Sequence, residues 1–95
     1  MVVKIWVDDL RARPGWDWVQ AWSSSEAILL LENCRDAEFD IELISLDHDL
    51  GGDDTSRPIV LWMCENEWWP EEVVVHSQNP VGREWLQGMI ARYKV

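Results

Sequence analysis

The stretch Ile44-Ser45-Leu46-Asp47-His48-Asp49-Leu50-Gly51-Gly52 decides the fold that we predict for this chain. Its apolar part continues from Ile41 and Leu43 and stops abruptly at Asp-His-Asp and a glycine pair. This pattern indicates a buried strand that ends in a polar loop. Open α/β sheets hold their ligands beyond the carboxyl ends of the strands, so we place a candidate site directly after this strand.

Two further strand-like runs also end in polar residues. The run Val2-Val3-Lys4-Ile5-Trp6-Val7 is followed by Asp8-Asp9, and the run Val73-Val74-Val75 is followed by His76-Ser77. If the three strands are parallel, their polar ends meet at one edge of the sheet.

The intervening sequence predicts one more strand and three helices. Residues 16–22, rich in Trp and alternating in polarity, suit an edge strand after the Pro14-Gly15 turn. Ser23 and Glu26 form a capping box for the first helix, Pro58 suits the first turn of the second, and Asn79-Pro80 suit the start of the third. The apolar positions of these helices are Ala27, Leu30, Leu31 and Cys34, then Ile59, Trp62 and Met63, then Leu86, Met89, Ile90 and Tyr93.

The predicted element order is therefore β, β, α, β, α, β, α. Right-handed crossovers between such elements give a mostly parallel four-stranded sheet, for which we predict the order 2-1-3-4. We expect a single domain over residues 1–95, a three-layer α/β fold with helices on the faces of the sheet.

Charge and cysteine content narrow the function. The formal net charge is −10, from 18 acidic and 8 basic residues, and such a field repels nucleic acid backbones and anionic membranes. A small phosphorylated ligand stays compatible with this charge if Arg residues and helix N-termini converge, or if a divalent cation masks the acids. Cys34 and Cys64 are expected to be reduced, and no signal peptide or membrane-spanning run is present, so we expect a cytoplasmic protein.

Three blocks of sequence carry a resemblance to a known family. They are Trp6-Val7-Asp8-Asp9-Leu10-Arg11, Ser45-Leu46-Asp47-His48-Asp49-Leu50-Gly51 and Val75-His76-Ser77-Gln78-Asn79-Pro80-Val81-Gly82-Arg83. An acidic pair after the first strand and an Asp after the third resemble the response-regulator receiver fold. Taken together, the blocks resemble the small cyclic-phosphate-processing receiver-like family. The resemblance implies a flavodoxin-like architecture.

The resemblance also implies an activity: the opening or handling of cyclic phosphates on nucleotides or ADP-ribose derivatives, in RNA repair or in conflicts between bacteria and phages. The sequence ends at Val95, so we expect neither the fifth strand of receivers nor its Lys, and a phosphorelay switch is disfavoured. Hydrolysis of a cyclic ester in a bacterial cell or phage-infected host is the leading function. One alternative is a non-catalytic protein that sequesters a nucleotide-derived immune signal, as a phage anti-defence protein does; another is a receiver-like adaptor that docks proteins.

His48 and His76 are candidates for an acid and base pair on a phosphodiester, because imidazoles titrate near neutral pH. Both follow strand ends, although a His at such a place can also simply cap a loop. Asp47 and Asp49 complete the predicted catalytic set. Asp49 either orients His48 or satisfies loop N–H groups.

Asp8, Asp9 and Asp47 are candidate metal ligands. Three carboxylates packed together repel one another, so either one is protonated, or a His offsets them, or an ion such as Mg²⁺ or Mn²⁺ lies among them. A solvated acidic rim is the alternative.

The predicted phosphate contacts are Asn79, Arg83, Ser77 and Arg11, with Arg57 as a weaker candidate. Asn79 and Arg83 flank the start of the last helix, where free N–H groups and the helix dipole favour anions, although Asn79 can also serve only as a cap. The aromatic side chains of Trp16, Trp18 and Trp22 either stack on a base, pack in the core or form a surface through which copies associate.

Overall fold

The computed structural model describes residues 2–94, which form four strands and three helices. The elements in chain order are β1 (Val3–Val7), β2 (Val19–Ala21), α1 (Ser24–Asp36), β3 (Ile41–Leu46), α2 (Arg57–Asn66), β4 (Glu72–Val75) and α3 (Pro80–Tyr93). This order is the predicted one.

The sheet is parallel throughout and has the predicted order β2-β1-β3-β4. Its register aligns the ends of the strands, since Val7 lies opposite Ala21 on one side and Leu46 on the other. Leu46 in turn lies opposite Val75. Asp8, Asp47 and His76, each one residue further, therefore leave the sheet at the same edge, and the receiver-like α/β fold is confirmed.

The layering differs from the prediction, because the helices lie on one face of the sheet rather than on both. α1 contacts α2, and α2 contacts α3, so the three helices form one continuous layer. The physical reason is the direction of the crossover connections. The connection from β2 to β3 and the connection from β3 to β4 both advance in the same direction across the sheet, and right-handed connections that advance in the same direction lie on the same face. The apolar side chains of Ile5, Val7, Ile44 and Leu46 are fully buried beneath them.

The opposite face is covered in part by the segment between β1 and β2. The indole of Trp18 packs edge-on against that of Trp6, with ring centroids 5.8 Å apart. Lys4 forms an ion pair with Asp17 at 2.6 Å and lies over the Trp18 ring. Trp6 and Ser45, which alternate with the buried residues of their strands, therefore face this thinner layer.

The second strand is shorter than predicted. Residues 16–22 were expected to be extended, but the N–H of Trp18 donates to the carbonyl of Gly15 at 3.2 Å, so a turn occupies the first part. Trp16 is 88% exposed and Trp22 is 47% exposed, so neither belongs to the core.

Both predicted side-chain caps are confirmed. Ser23 Oγ accepts from the N–H of Glu26 at 3.2 Å, and Asn79 Oδ1 accepts from the N–H of Gly82 at 3.1 Å. Cys34 and Cys64 are free thiols. Within residues 2–94, no helix has the length and apolar content that crossing a membrane requires.

Candidate functional site

The polar ends of β1, β3 and β4 open onto a cleft of about 430 Å³. The residues that line it are Asp8, Asp9, Leu10, Arg11, Asp47, Asp49, Gly51, Ser77, Gln78 and Asn79. Four carboxylates and one guanidinium share this wall, so the cleft is strongly acidic.

Asp8 is fully buried at the base of the cleft and is fixed by several donors. The backbone N–H groups of Leu10 and Arg11 both donate to its Oδ1 at 2.8 Å, and Oδ2 lies 3.0 Å from Nε2 of His76. Burial raises the pKa of Asp8, but these hydrogen bonds outweigh burial, and the resulting pKa is below the ordinary value. Asp8 is therefore an ionised carboxylate that only accepts hydrogen bonds.

Asp47 has the opposite electrostatic character. Burial raises the pKa of Asp47, and the negative charge of Asp8 raises it further. The N–H of His48 donates to Asp47 Oδ1 at 2.9 Å, but this bond and one from Ser77 offset only part of the rise. Two neighbouring carboxylates with pKa values shifted apart are a common feature of functional sites.

His76 faces these carboxylates with one ring nitrogen. Its Nε2 lies against Asp8, and its Nδ1 lies 2.7 Å from the Oγ of Ser45. The imidazole also stacks on the indole of Trp6, with ring centroids 3.9 Å apart and planes within 4° of parallel. The ring is thus held in position on three sides.

Asp8, Asp47 and His76 form the metal-compatible group of residues 2–94, with one donor atom from each lying within 4.8 Å of the others. The group differs from the predicted set, because His76 belongs to it and Asp9 does not. Asp9 lines the outer cleft instead, with its Oδ2 close to Gly51. Two carboxylates and an imidazole suit a divalent ion such as Mn²⁺ or Zn²⁺, whereas Mg²⁺ prefers oxygen donors.

His48 lies behind the cleft wall rather than in it, and only 5% of the residue is exposed. Its Nδ1 lies 2.8 Å from Asp49, and Nε2 accepts from Nε–H of Arg57 at 3.0 Å. Because a guanidinium can only donate, Nε2 carries a lone pair and the proton is on Nδ1. His48 therefore has no nitrogen free for a substrate, and the geometry does not support its prediction as half of a catalytic pair.

The structure resolves the roles left open for Asp49 and Asn79. Asp49 orients His48, and the hydrogen bonds from His48 and Asn79 lower the pKa of Asp49. Asn79 caps α3 with Oδ1 and donates to Asp49 through Nδ2 at 3.1 Å. Since Pro80 has no N–H and that of Gly82 is used by the cap, the start of α3 offers few donors to an anion.

The predicted cationic residues separate in space. Arg11 lines the cleft, where it donates to the carbonyl of His76 at 3.1 Å and lies 3.4 Å from Asp8. Arg83 is exposed and donates to the carbonyl of Ser77 at 3.4 Å, and Arg57 lies against His48 and over the ring of Trp85. Ser77 is buried at the cleft, where its Oγ accepts from the N–H of Asn79 at 3.1 Å.

Three residues that build the site were not predicted as site residues from the sequence: Ser45, Trp6 and Gly82. Ser45 is a buried hydroxyl in an otherwise apolar strand, which was the available signal. Gly82 allows α3 to approach His48, because a Cβ there would overlap the imidazole, with Cδ2 2.6 Å away. Nothing in the sequence pairs positions 48 and 82.

A parallel sheet in the order 2-1-3-4 with an acidic cleft at its carboxyl edge defines a receiver-like domain. Residues 3–92 match the profile of the cyclic-phosphate processing receiver domain, and the chain belongs to that family. No curated protein and no solved structure matches the chain.

Proposed function

We propose that this protein binds a small cyclic phosphate on a nucleotide or ADP-ribose derivative in the acidic cleft and hydrolyses it to a phosphomonoester. The observation that carries the proposal is the family match over nearly the whole chain, combined with the convergence of Asp8, Asp47 and His76 at one cleft. The family description supplies the cyclic phosphate, and the residues supply the chemistry.

The charge of the cleft implies a cation as part of the ligand. Asp8, Asp9, Asp47 and Asp49 repel a phosphate, and Arg11 is the one cationic side chain among the lining residues. Asp8, Asp47 and His76 would hold a divalent ion here, and such an ion would supply positive charge that offsets this repulsion and polarises a phosphoryl oxygen. Arg11 then contacts the phosphate from the rim of the cleft.

Asp47 is suited to move the proton during ring opening. A carboxylate that gives one oxygen to an ion keeps its second oxygen as a proton acceptor. In the proposed reaction the oxygen of water forms a bond to phosphorus and one ring P–O bond breaks. Asp47 accepts the proton of the attacking water and returns it to the leaving ribose oxygen, so water is added and nothing else is consumed.

A sequestering protein is the second candidate, and the position of His48 favours it. The predicted pair of histidines is not present at the cleft, because both ring nitrogens of His48 are engaged behind the wall. A site without that pair can retain a cyclic phosphate unchanged. In this case the ligand is a nucleotide-derived signal that the protein removes from solution.

Phosphorus NMR with a panel of cyclic phosphates distinguishes the two functions. The panel includes 2′,3′-cyclic nucleotides, 3′,5′-cyclic nucleotides and a cyclic phosphate of ADP-ribose. Each compound is measured in two samples, one with added Mn²⁺ or Zn²⁺ and one in which a chelator removes the ion. Hydrolysis predicts a new phosphomonoester signal that chelator and Asp47→Asn abolish, whereas Ser25→Ala, an exposed change on α1, leaves it unaltered. Binding without product establishes the sequestering function, and neither product nor binding across the panel refutes both.

A further inference from the structure

The hydroxyl of Ser45 is placed as a partner for His76 alone. Ser45 is 3% exposed, and within residues 2–94 its Oγ has one side-chain partner, Nδ1 of His76 at 2.7 Å. It is the penultimate residue of β3, two residues before Asp47, and it is paired with Trp6 of β1 and Val74 of β4, so its backbone position is fixed by the sheet. The position is rigid, and its contact is specific to one ring nitrogen.

The Trp6 indole restricts the imidazole to one plane. The two rings are stacked, and the indole is itself held because its Nε1 donates to the carbonyl of Arg11 at 3.0 Å. Stacking fixes the plane of the ring, but it does not decide between the two ring orientations that differ by 180° about the Cβ–Cγ bond. The contacts of Nδ1 with Ser45 and of Nε2 with Asp8 select one of these orientations.

Without a cation, the ionised Asp8 determines which nitrogen of His76 carries the proton. Asp8 is ionised and can only accept, so Nε2 of His76 carries the proton. In the neutral imidazole Nδ1 then has a lone pair, and the hydroxyl of Ser45 donates to it.

With a cation in the group, the same imidazole needs the opposite tautomer. Nε2 must present a lone pair to the ion, so the proton of the neutral ring moves to Nδ1. The ring keeps one proton: Nε2 loses one to solvent and Nδ1 gains one from solvent.

We propose that Ser45 is the positioning residue for His76 in both states, donating to Nδ1 when the site is empty and accepting from Nδ1 when a divalent cation is bound. This inference rests on the proposed function for the presence of a cation. A hydroxyl is suited to the exchange because it has one donor hydrogen and two acceptor lone pairs. A methyl group offers neither, and a carboxylate offers no donor.

Nitrogen-15 NMR of the protein with labelled histidine tests the exchange directly, at a pH at which imidazoles are uncharged. His76→Asn identifies the signals of His76 by their loss. We expect His76 to carry its proton on Nε2 in the chelated protein and on Nδ1 after addition of Zn²⁺. His48 is the internal control, because Arg57 and Asp49 fix its proton on Nδ1 with or without Zn²⁺.

A matched pair of variants tests the role of the hydroxyl. Ser45→Thr keeps the hydroxyl and Ser45→Val removes it, while both add a branched side chain that suits a strand. Loss of an outer hydrogen bond to a ligating His weakens metal affinity by about 10–100-fold, so we expect this loss of Zn²⁺ affinity for the Val variant and a change within about threefold for the Thr variant. Calorimetry gives the affinities, and Ser45→Ala replaces the Val variant if the latter does not fold.

Four results overturn the inference: a proton on Nδ1 of His76 in the chelated protein, no change of tautomer with bound Zn²⁺, unchanged affinity in the variant without the hydroxyl, and no binding of Zn²⁺ at all. None of them decides whether a cyclic phosphate is bound or opened, because no phosphate is present in these measurements. The phosphorus NMR panel decides that question separately.

Discussion

The two histidines follow neighbouring strands, yet they lie in different surroundings. His76 follows β4 and faces the carboxylates of the cleft, with Ser45 and Trp6 behind it. His48 lies under the start of α3, fixed by Asp49 and Arg57. One imidazole is positioned at the ligand site, and the other joins two helices to the loop after β3.

This difference shows that a strand end alone does not make a histidine functional. The first residue after a strand, such as Asp47 or His76, still follows the alternation of the sheet. His48 is one residue further along, where the chain has turned toward the helices, and its side chain is directed into the packing between α2 and α3. A substitution in one of these two regions therefore has a matched reference in the other.

Exchange of each histidine for Ala gives the largest expected effects, and they differ in kind. His48→Ala removes a buried ring and leaves Arg57 without its acceptor, so we expect the free energy of unfolding to fall by about 2–4 kcal/mol. His76→Ala removes the imidazole from the metal-compatible group. We therefore expect turnover, corrected for the folded fraction, to fall about a hundredfold or more. Urea denaturation and a product assay measure the two quantities, with Zn²⁺ affinity as the readout if the protein only binds its ligand.

The contrast fails if the effects are reversed. A His48→Ala protein that folds normally but loses turnover means that His48 reaches the substrate after a rearrangement. In that case our placement of His48 as a structural residue is wrong.

Two glycines of α3 sharpen the comparison further. A Cβ at position 82 overlaps the His48 ring, whereas a Cβ at position 88 meets nothing within 4 Å. We expect Gly82→Ala to lower the free energy of unfolding by about 2–3 kcal/mol through overpacking. Gly88→Ala should instead raise it by about 0.5–1 kcal/mol, because Ala is the better helix residue.

The double variant His48→Ala with Gly82→Ala tests whether the clash is with the imidazole. Smaller side-chain volume at position 48 makes room for the new methyl group, so the double variant should lose less stability than the sum of the single changes. Additive losses measured by urea denaturation indicate that position 82 is tight for another reason.

The fold was predictable because local signals agreed with one another. The apolar run at residues 41–46, the capping residues Ser23 and Asn79, and the order of elements all indicated a parallel sheet in the order 2-1-3-4. The layering was missed although it follows from the same order, since both helical crossovers advance in one direction. The length of β2 was missed because Trp16 and Trp18 alternate like strand residues while a turn at Gly15 contains them.

The candidate site was predictable in composition and less so in geometry. The polar residues after each strand were identified because strand ends are readable from hydrophobic patterns. The sequence did not predict that His76, rather than Asp9, belongs to the metal-compatible group, because this depends on the direction in which each side chain leaves the backbone. Ser45 and Gly82 act through contacts with residues 31 and 34 positions away, and one sequence does not record such pairs.

The two arginines near the site give a smaller effect. Arg11 lines the cleft and contacts Asp8, on the side of His76, whereas Arg83 is exposed on the side of His48. We expect Arg11→Ala to weaken the affinity for the best ligand of the panel by about tenfold, as expected for one charge-assisted contact. Arg83→Ala should change it by less than about twofold, and calorimetry at one ionic strength measures both. Equal losses mean that the anion lies at the start of α3 instead.

The smallest expected effect is the pH dependence contributed by Asp47, and it has the opposite sign to that of Asp8. The pKa of Asp47 is raised in the folded protein, so the native state holds this proton more tightly than the unfolded chain does. The stability that Asp47 contributes is present when it is protonated and is lost as the pH rises through the unfolded and then the folded pKa. Asp47→Asn removes this loss, so in chelated protein we expect a gain in the free energy of unfolding of up to about 0.5 kcal/mol at neutral pH that fades in acid.

The pKa of Asp8 is lowered, so its contribution to stability is present above its unfolded pKa and disappears as the pH falls. Asp8→Asn should therefore be destabilising at neutral pH. Urea titrations across the acid range measure both differences.

Addition of Zn²⁺ should reverse the sign of the stability change caused by Asp47→Asn, because the ion stabilises the native protein only while the carboxylate is present to bind it. A destabilised Asp47→Asn protein in chelator at neutral pH is incompatible with the repulsion that we assign to Asp8 and Asp47.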